Sequence, residues 1–176
     1  MNLPNAITVA RVALVPVFLV FAYGDTDSAE LTAWAVFLVA SLSDSLDGYL
    51  ARKHGTITRF GQFVDPLADK ILVGAALVVL VADEGFPLWA ALVIAVRELA
   101  VQVLRIRRTT GGRTMPASQF AKAKTATQIT MVSWWLLPWD STNPGHWAWL
   151  VAALVTTIAS GWEYFARAPA PARVKT

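Results

Sequence analysis

The sequence predicts an all-α fold, a polytopic membrane protein with six transmembrane helices and both termini cytoplasmic. Three observations carry that prediction. The 176-residue chain is 56% hydrophobic and only 15% charged, with a mean hydropathy of +0.50, which is not the balance of an ordinary soluble domain. Six apolar runs are long enough to be helices that cross a hydrocarbon core, for which about 20 residues are needed. Lys and Arg avoid every second link between those runs, as the positive-inside rule requires.

The first expected helix, 6–23, follows MNLPN directly. It has no basic n-region and no separated small-residue cleavage site, so it reads as a retained helix and not a signal peptide. The second, 31–50, ends in two aspartates, and the third, 61–82, begins with two more. The fourth, 88–106, carries Arg97 near its middle. The fifth and sixth, 120–138 and 147–166, place Trp134, Trp135, Trp139, Trp147 and Trp149 near their shared ends, where amphipathic indoles favour a membrane interface. Residues 1–166 are expected to form a single domain, and the Pro- and Ala-rich 167–176 a disordered cytoplasmic tail.

The links after helices one, three and five carry Asp25, Asp27, Glu30, Asp83, Glu84 and Asp140 without a Lys or Arg. The other links and the tail hold Arg52, Lys53, Arg59, Arg105, Arg107, Arg108, Arg113, Arg167, Arg173 and Lys175. That asymmetry predicts a multi-pass protein of the cell membrane. The chain has no cysteine, which excludes disulfides and thiolate metal sites. Its net charge of +3 is spread over the ends of apolar runs, so no nucleic-acid surface is expected, and anionic membrane lipids are the natural partner. His54 and His146 fall in links and are expected to be solvated.

The stretch SDSLDGYLARKHGTITRFGQFVDPLADK, residues 43–70, concentrates the polar chemistry. Asp44 and Asp47 are three apart near the end of helix two, and Asp65 and Asp69 are four apart at the start of helix three, so each pair shares a helix face. A short turn makes the two helices antiparallel neighbours and brings the pairs to similar depth. Four carboxylates so placed repel one another unless cations compensate them, and hard divalent ions, Mg²⁺ or Mn²⁺, take oxygen ligands of this kind. The alternative is that each aspartate is a tolerated helix-end charge, with Asp65 a cap. Gly48 and Ala51 can equally be small residues at a close helix contact, Arg52 a topology anchor and Gly61 a helix start.

The stretch reads D-x-x-D-G-x-x-A-R, eight residues, then G-x-x-x-D-x-x-x-D, and it resembles the signature of the CDP-alcohol phosphotransferase family. All eight fixed positions are filled, by Asp44, Asp47, Gly48, Ala51, Arg52, Gly61, Asp65 and Asp69. The resemblance implies a membrane enzyme that displaces CMP from a CDP-linked lipid by attack of an alcohol, with two divalent cations in the site. It implies that Asp44, Asp47, Asp65 and Asp69 ligate the metals, that Asp69 is also the general base, and that Gly48, Ala51, Arg52 and Gly61 line the CDP pocket. A homodimer is implied as well.

The opening NLPNAITVARVALVP is similar to the phosphatidylglycerophosphate-forming branch of the family, with Pro4, Asn5, Thr8 and Arg11 matching P-N-x-x-T-x-x-R and with Asn5 and Thr8 placed at the CDP site. DPLADK, VRELAVQVLR and MPASQFAKAKTATQ resemble the same branch. This implies CDP-diacylglycerol as donor and sn-glycerol 3-phosphate as acceptor. The residues themselves point the same way, because an arginine as deep as Arg97 needs a partner or a function. Glu98, its sequence neighbour, points elsewhere on the helix and is not expected to be that partner. Arg97, Arg105, Lys122 and Lys124 together would suit an acceptor that is itself a phosphate. For Arg105, Lys122 and Lys124, contact with anionic lipid is the alternative. A cardiolipin synthase accepting phosphatidylglycerol, an inositol-phosphate acceptor, and a cation transporter using the aspartates as an ion site remain open.

Overall fold

The structure, a computed structural model, describes the backbone of residues 3–54, 59–109, 119–139 and 142–166. Within these, the side chains of 3–8, 44–54, 59–67, 69 and 105–109 lie outside the described set, as does the whole of the tail 167–176. Six helices follow in order: α1 (Leu3–Ala22), α2 (Asp27–His54), α3 (Arg59–Ala82), α4 (Leu88–Thr109), α5 (Gln119–Trp135) and α6 (Pro144–Ala166). All six expected helices are present, and each end falls within four residues of its expected position.

Local chemistry explains where the helices begin and end. The Thr26 hydroxyl accepts from the Ala29 N–H at 3.2 Å, and Asp27 and Glu30 occupy the first turn of α2, where carboxylates favour the helix dipole. That cap starts α2 four residues before the apolar run. At the end of α3, Gly85 adopts φ +69°, a left-handed conformation that glycine takes without a Cβ penalty. The turn lets the Phe86 N–H donate back to the Leu80 carbonyl at 3.0 Å. Asn143 Oδ1 accepts from the Gly145 N–H at 2.9 Å, and Pro144 sits at the first helical position of α6.

α1 packs along α2 and against α3, α5 pairs with α6, α6 also meets α4, and α5 reaches α2 and α3. One buried cluster ties these contacts together, with Phe18, Phe37, Leu72, Leu80, Ile94 and Met131 among its largest members. Polar links cross it as well. The Arg11 Nε–H, on an almost wholly buried side chain, donates to the Ala40 carbonyl at 3.1 Å, and the Thr127 and Thr156 hydroxyls meet at 2.7 Å between α5 and α6.

One part of the expected fold is corrected. Among the described residues, no helix is long and apolar enough to cross a membrane. α5 has 17 residues, and at ~1.5 Å per residue it falls short of a ~30 Å hydrocarbon core. α4 carries Arg97 and Glu98 in its interior, and α2 opens with two acids. The six helices are therefore not assigned as transmembrane segments. The multi-pass cell-membrane location, the cytoplasmic placement of the termini and site, and the interfacial role of the tryptophans fall with that assignment. Trp135 is instead buried, edge-on to Phe86 with centroids 5.0 Å apart and 4.6 Å from the His146 ring. His146 is itself buried and not solvated; His54 has its side chain outside the described set.

Candidate active site

α2 carries Asp44 and Asp47, α3 carries Asp65 and Asp69, and these two helices pack against each other. At 3.6 residues per turn, spacings of three and four keep each pair on one helix face. The side chains of all four, and those of Asn5, Thr8, Gly48, Ala51, Arg52, Gly61 and Arg105, lie outside the described set. Among the described residues there is no group of three or more His, Cys, Asp or Glu that could hold a metal ion. The donor set of the four aspartates fits Mg²⁺ or Mn²⁺, because every donor is a hard carboxylate oxygen.

Among the described residues, a polar cluster centres on Glu98 of α4. Lys70 Nζ of α3 donates to its Oε2 at 2.9 Å. Arg97 Nη1 donates to Oε1 at 3.0 Å, and Lys124 Nζ of α5 pairs with the same oxygen. Burial alone would raise the Glu98 carboxyl, but the charges and hydrogen bonds of Lys124 and Lys70 outweigh it and hold the pKa at about 2. Glu98 is thus an anion throughout the physiological range. Among the described residues, three cations share this one carboxylate. Arg97 is fixed further by its Nη2, which donates to Ser160 Oγ of α6 at 2.8 Å.

Two of the four expected acceptor residues, Arg97 and Lys124, are brought together here. Lys122 is exposed, and the position of the Arg105 side chain is outside the described set. Glu98 corrects the expectation that it would face away from Arg97. Its adjacency in sequence hid the pairing, because the long arginine side chain can bend back to the next residue even when the two Cβ directions diverge. Lys70 was also missed, although it directly follows Asp69.

Beside Lys124, α2, α3 and α5 enclose a cavity of about 20 Å³, lined by Ser41, Val73, Lys124, Thr125 and Gln128 among others. The Gln128 side chain is buried, and neither end of its amide has a hydrogen-bond partner. Four residues on from Lys124, it lies on the same face of α5.

Residues 1–159 match the model of the family described as CDP-alcohol phosphatidyltransferase. The chain is 41% identical over 182 residues to the CDP-diacylglycerol--glycerol-3-phosphate 3-phosphatidyltransferase of Bacillus subtilis (strain 168), covering 94% of each protein. It is 41% identical over 173 residues to a Mycobacterium tuberculosis (strain H37Rv) protein named "Probable phosphatidylglycerophosphate synthase", covering 95% of this chain and 81% of the relative. A Pseudomonas fluorescens protein with the same name as the Bacillus one is 44% identical over 135 residues, covering 73% and 69%.

Proposed function

The chain belongs to the CDP-alcohol phosphatidyltransferase family, and on that premise we propose that it moves the phosphatidyl group of CDP-diacylglycerol to sn-glycerol 3-phosphate, giving phosphatidylglycerophosphate and CMP. The observation that carries the choice of acceptor is the convergence of Lys70, Arg97 and Lys124 on Glu98. A part-buried group of three cations suits an acceptor that brings its own phosphate. The names of the relatives support the same reading.

In the proposed reaction the acceptor hydroxyl oxygen attacks the lipid-bearing phosphorus, and the bond from that phosphorus to the CMP oxygen breaks. Asp69 takes the hydroxyl proton. Asp44, Asp47, Asp65 and Asp69 would hold two divalent cations, Mg²⁺ or Mn²⁺, which when bound neutralise charge on the transferred phosphate and the leaving group. Gly48, Ala51, Arg52 and Gly61, with Asn5 and Thr8, would receive the CDP moiety. Arg97, Arg105, Lys122 and Lys124 would attract the acceptor phosphate, with Glu98 spacing Lys70, Arg97 and Lys124. Val39, Leu42 and Val78 are exposed on α2 and α3 and offer an apolar surface to the donor's acyl chains and to neighbouring lipid. A homodimer belongs to the same proposal.

The test is CMP release by the purified protein with CDP-diacylglycerol and Mg²⁺, offering glycerol 3-phosphate, phosphatidylglycerol or inositol phosphate as acceptor. Turnover is expected with glycerol 3-phosphate, and Asp69→Asn is expected to lower it on the order of 10²- to 10⁴-fold. Turnover with phosphatidylglycerol alone would move the protein to a cardiolipin-forming activity, and release of no CMP with any acceptor would sink the transferase reading.

A further inference from the structure

We infer that Gln128 determines acceptor specificity, its amide receiving the free hydroxyl that glycerol 3-phosphate carries between its phosphate and its reacting end. The inference rests on the proposed acceptor and deepens it. Gln128 is 2% exposed, and both its Nε2 and its Oε1 lack a partner. A buried amide left in that state is costly, so the native site is expected to supply a group that both donates and accepts. A hydroxyl does both. The cavity that Gln128 lines measures about 20 Å³, room for a group the size of a water molecule but not for a phosphate or a sugar ring.

Helix register places that cavity relative to the chemistry. Ser41 precedes Asp44 by three residues on α2, and Val73 follows Asp69 by four on α3, so both helices put the cavity one turn, about 5.4 Å, beyond the aspartate positions. Lys124, which pairs with Glu98, forms part of its wall. Gln128 lies one turn from Lys124 on the same face of α5, so an acceptor whose phosphate meets the Lys124 cluster has its middle hydroxyl within reach of the cavity. Ser41, also buried in the cavity wall, adds a second hydroxyl to the same pocket.

The experiment compares glycerol 3-phosphate with 3-hydroxypropyl phosphate, which keeps the phosphate and the reacting hydroxyl and lacks the middle one. The wild type is expected to prefer glycerol 3-phosphate in kcat/KM by on the order of 100-fold, since the analogue without that hydroxyl leaves a buried amide unsatisfied. Gln128→Met, which fills the same space without the amide, is expected to bring the two acceptors to within about threefold while leaving the KM for CDP-diacylglycerol unchanged. Ser41→Ala is expected to shrink the preference by less, and it decides the matter if Gln128→Met does not fold. Active variants that retain the wild-type preference would overturn the inference, leaving Gln128 as the partner of a buried water. A wild type that releases no CMP with glycerol 3-phosphate would overturn the proposed function and this inference with it.

Discussion

Glu98 and Glu84 are both glutamates drawn out of water, and their carboxyls shift in opposite directions. At Glu84, in the link between α3 and α4, burial raises the pKa, and the nearby charges of Glu30 and Asp83 raise it further. At Glu98, burial pushes the same way, but Lys124 and Lys70 reverse the outcome and hold the group at about 2. Desolvation is common to both, so the neighbours decide the sign. Among the described residues, acids gather where α3 turns into α4 and cations gather inside the bundle around Glu98. An acid cluster of the first kind is tolerated near solvent without a cation, whereas a buried cation cluster depends on the anions around it.

The largest expected effect comes from removing that anion. Glu98→Gln leaves Lys70, Arg97 and Lys124 without their common partner in a site where the Glu98 side chain is only 14% exposed, and breaking a buried pair in this way costs about 3 kcal/mol. Chemical denaturation should record a loss of that order, and an unchanged midpoint would mean that the cations are well solvated. Lys124→Met comes next. It is expected to raise the KM for glycerol 3-phosphate about tenfold, while Lys122→Met, at an exposed position, changes it by less than about threefold. Equal effects from the two lysines would remove the distinction between the Glu98 cluster and the surface.

Protonation gives a subtler version of the same comparison. The folded Glu98 carboxyl lies near 2 and its ordinary value is 4.5, so across that window the unfolded chain binds more protons than the folded one. Stability from Glu98 is therefore complete above about pH 4.5 and drains as pH falls through 2. Unfolding measured over that range should show the slope in the wild type, and Glu98→Gln should flatten it.

Most of the helical layout was legible because apolar runs, caps and turn glycines agree. The Asn143-Pro144 start of α6 was a readable signal that the apolar-run boundary at 147 passed over, and it is why His146 lies within the helix against Trp135 and not in a solvated link. The spacing of the four aspartates is legible because it repeats the helix period, and their side chains lie outside the described residues. Glu98 was not, since its partners come from α3, α4 and α5 and only the packing brings them together. Gln128 was hidden for the same reason: its position one turn past Lys124 is in the sequence, but its isolation from every partner is a property of the folded cavity. Overall hydropathy misled most. An average over the chain says nothing about how ionisable residues interrupt particular helices, and among the described residues none of them meets the requirement for a span.

The smallest expected effect is at the acidic turn, and its sign is the informative part. With the folded Glu84 carboxyl raised above 4.5, the unfolded chain releases its proton first as pH rises. Stability therefore falls between pH 4.5 and the folded value, opposite to the slope from Glu98. Glu84→Gln removes one of three like charges and should raise stability at neutral pH by on the order of 0.5 kcal/mol, the magnitude of a screened pair near the surface. It should also abolish the downward slope above pH 4.5 and leave the Glu98 slope below it intact. A loss of stability at neutral pH in Glu84→Gln would show that the carboxylate has a favourable partner that outweighs Glu30 and Asp83, and the two glutamates would then differ in degree and not in kind.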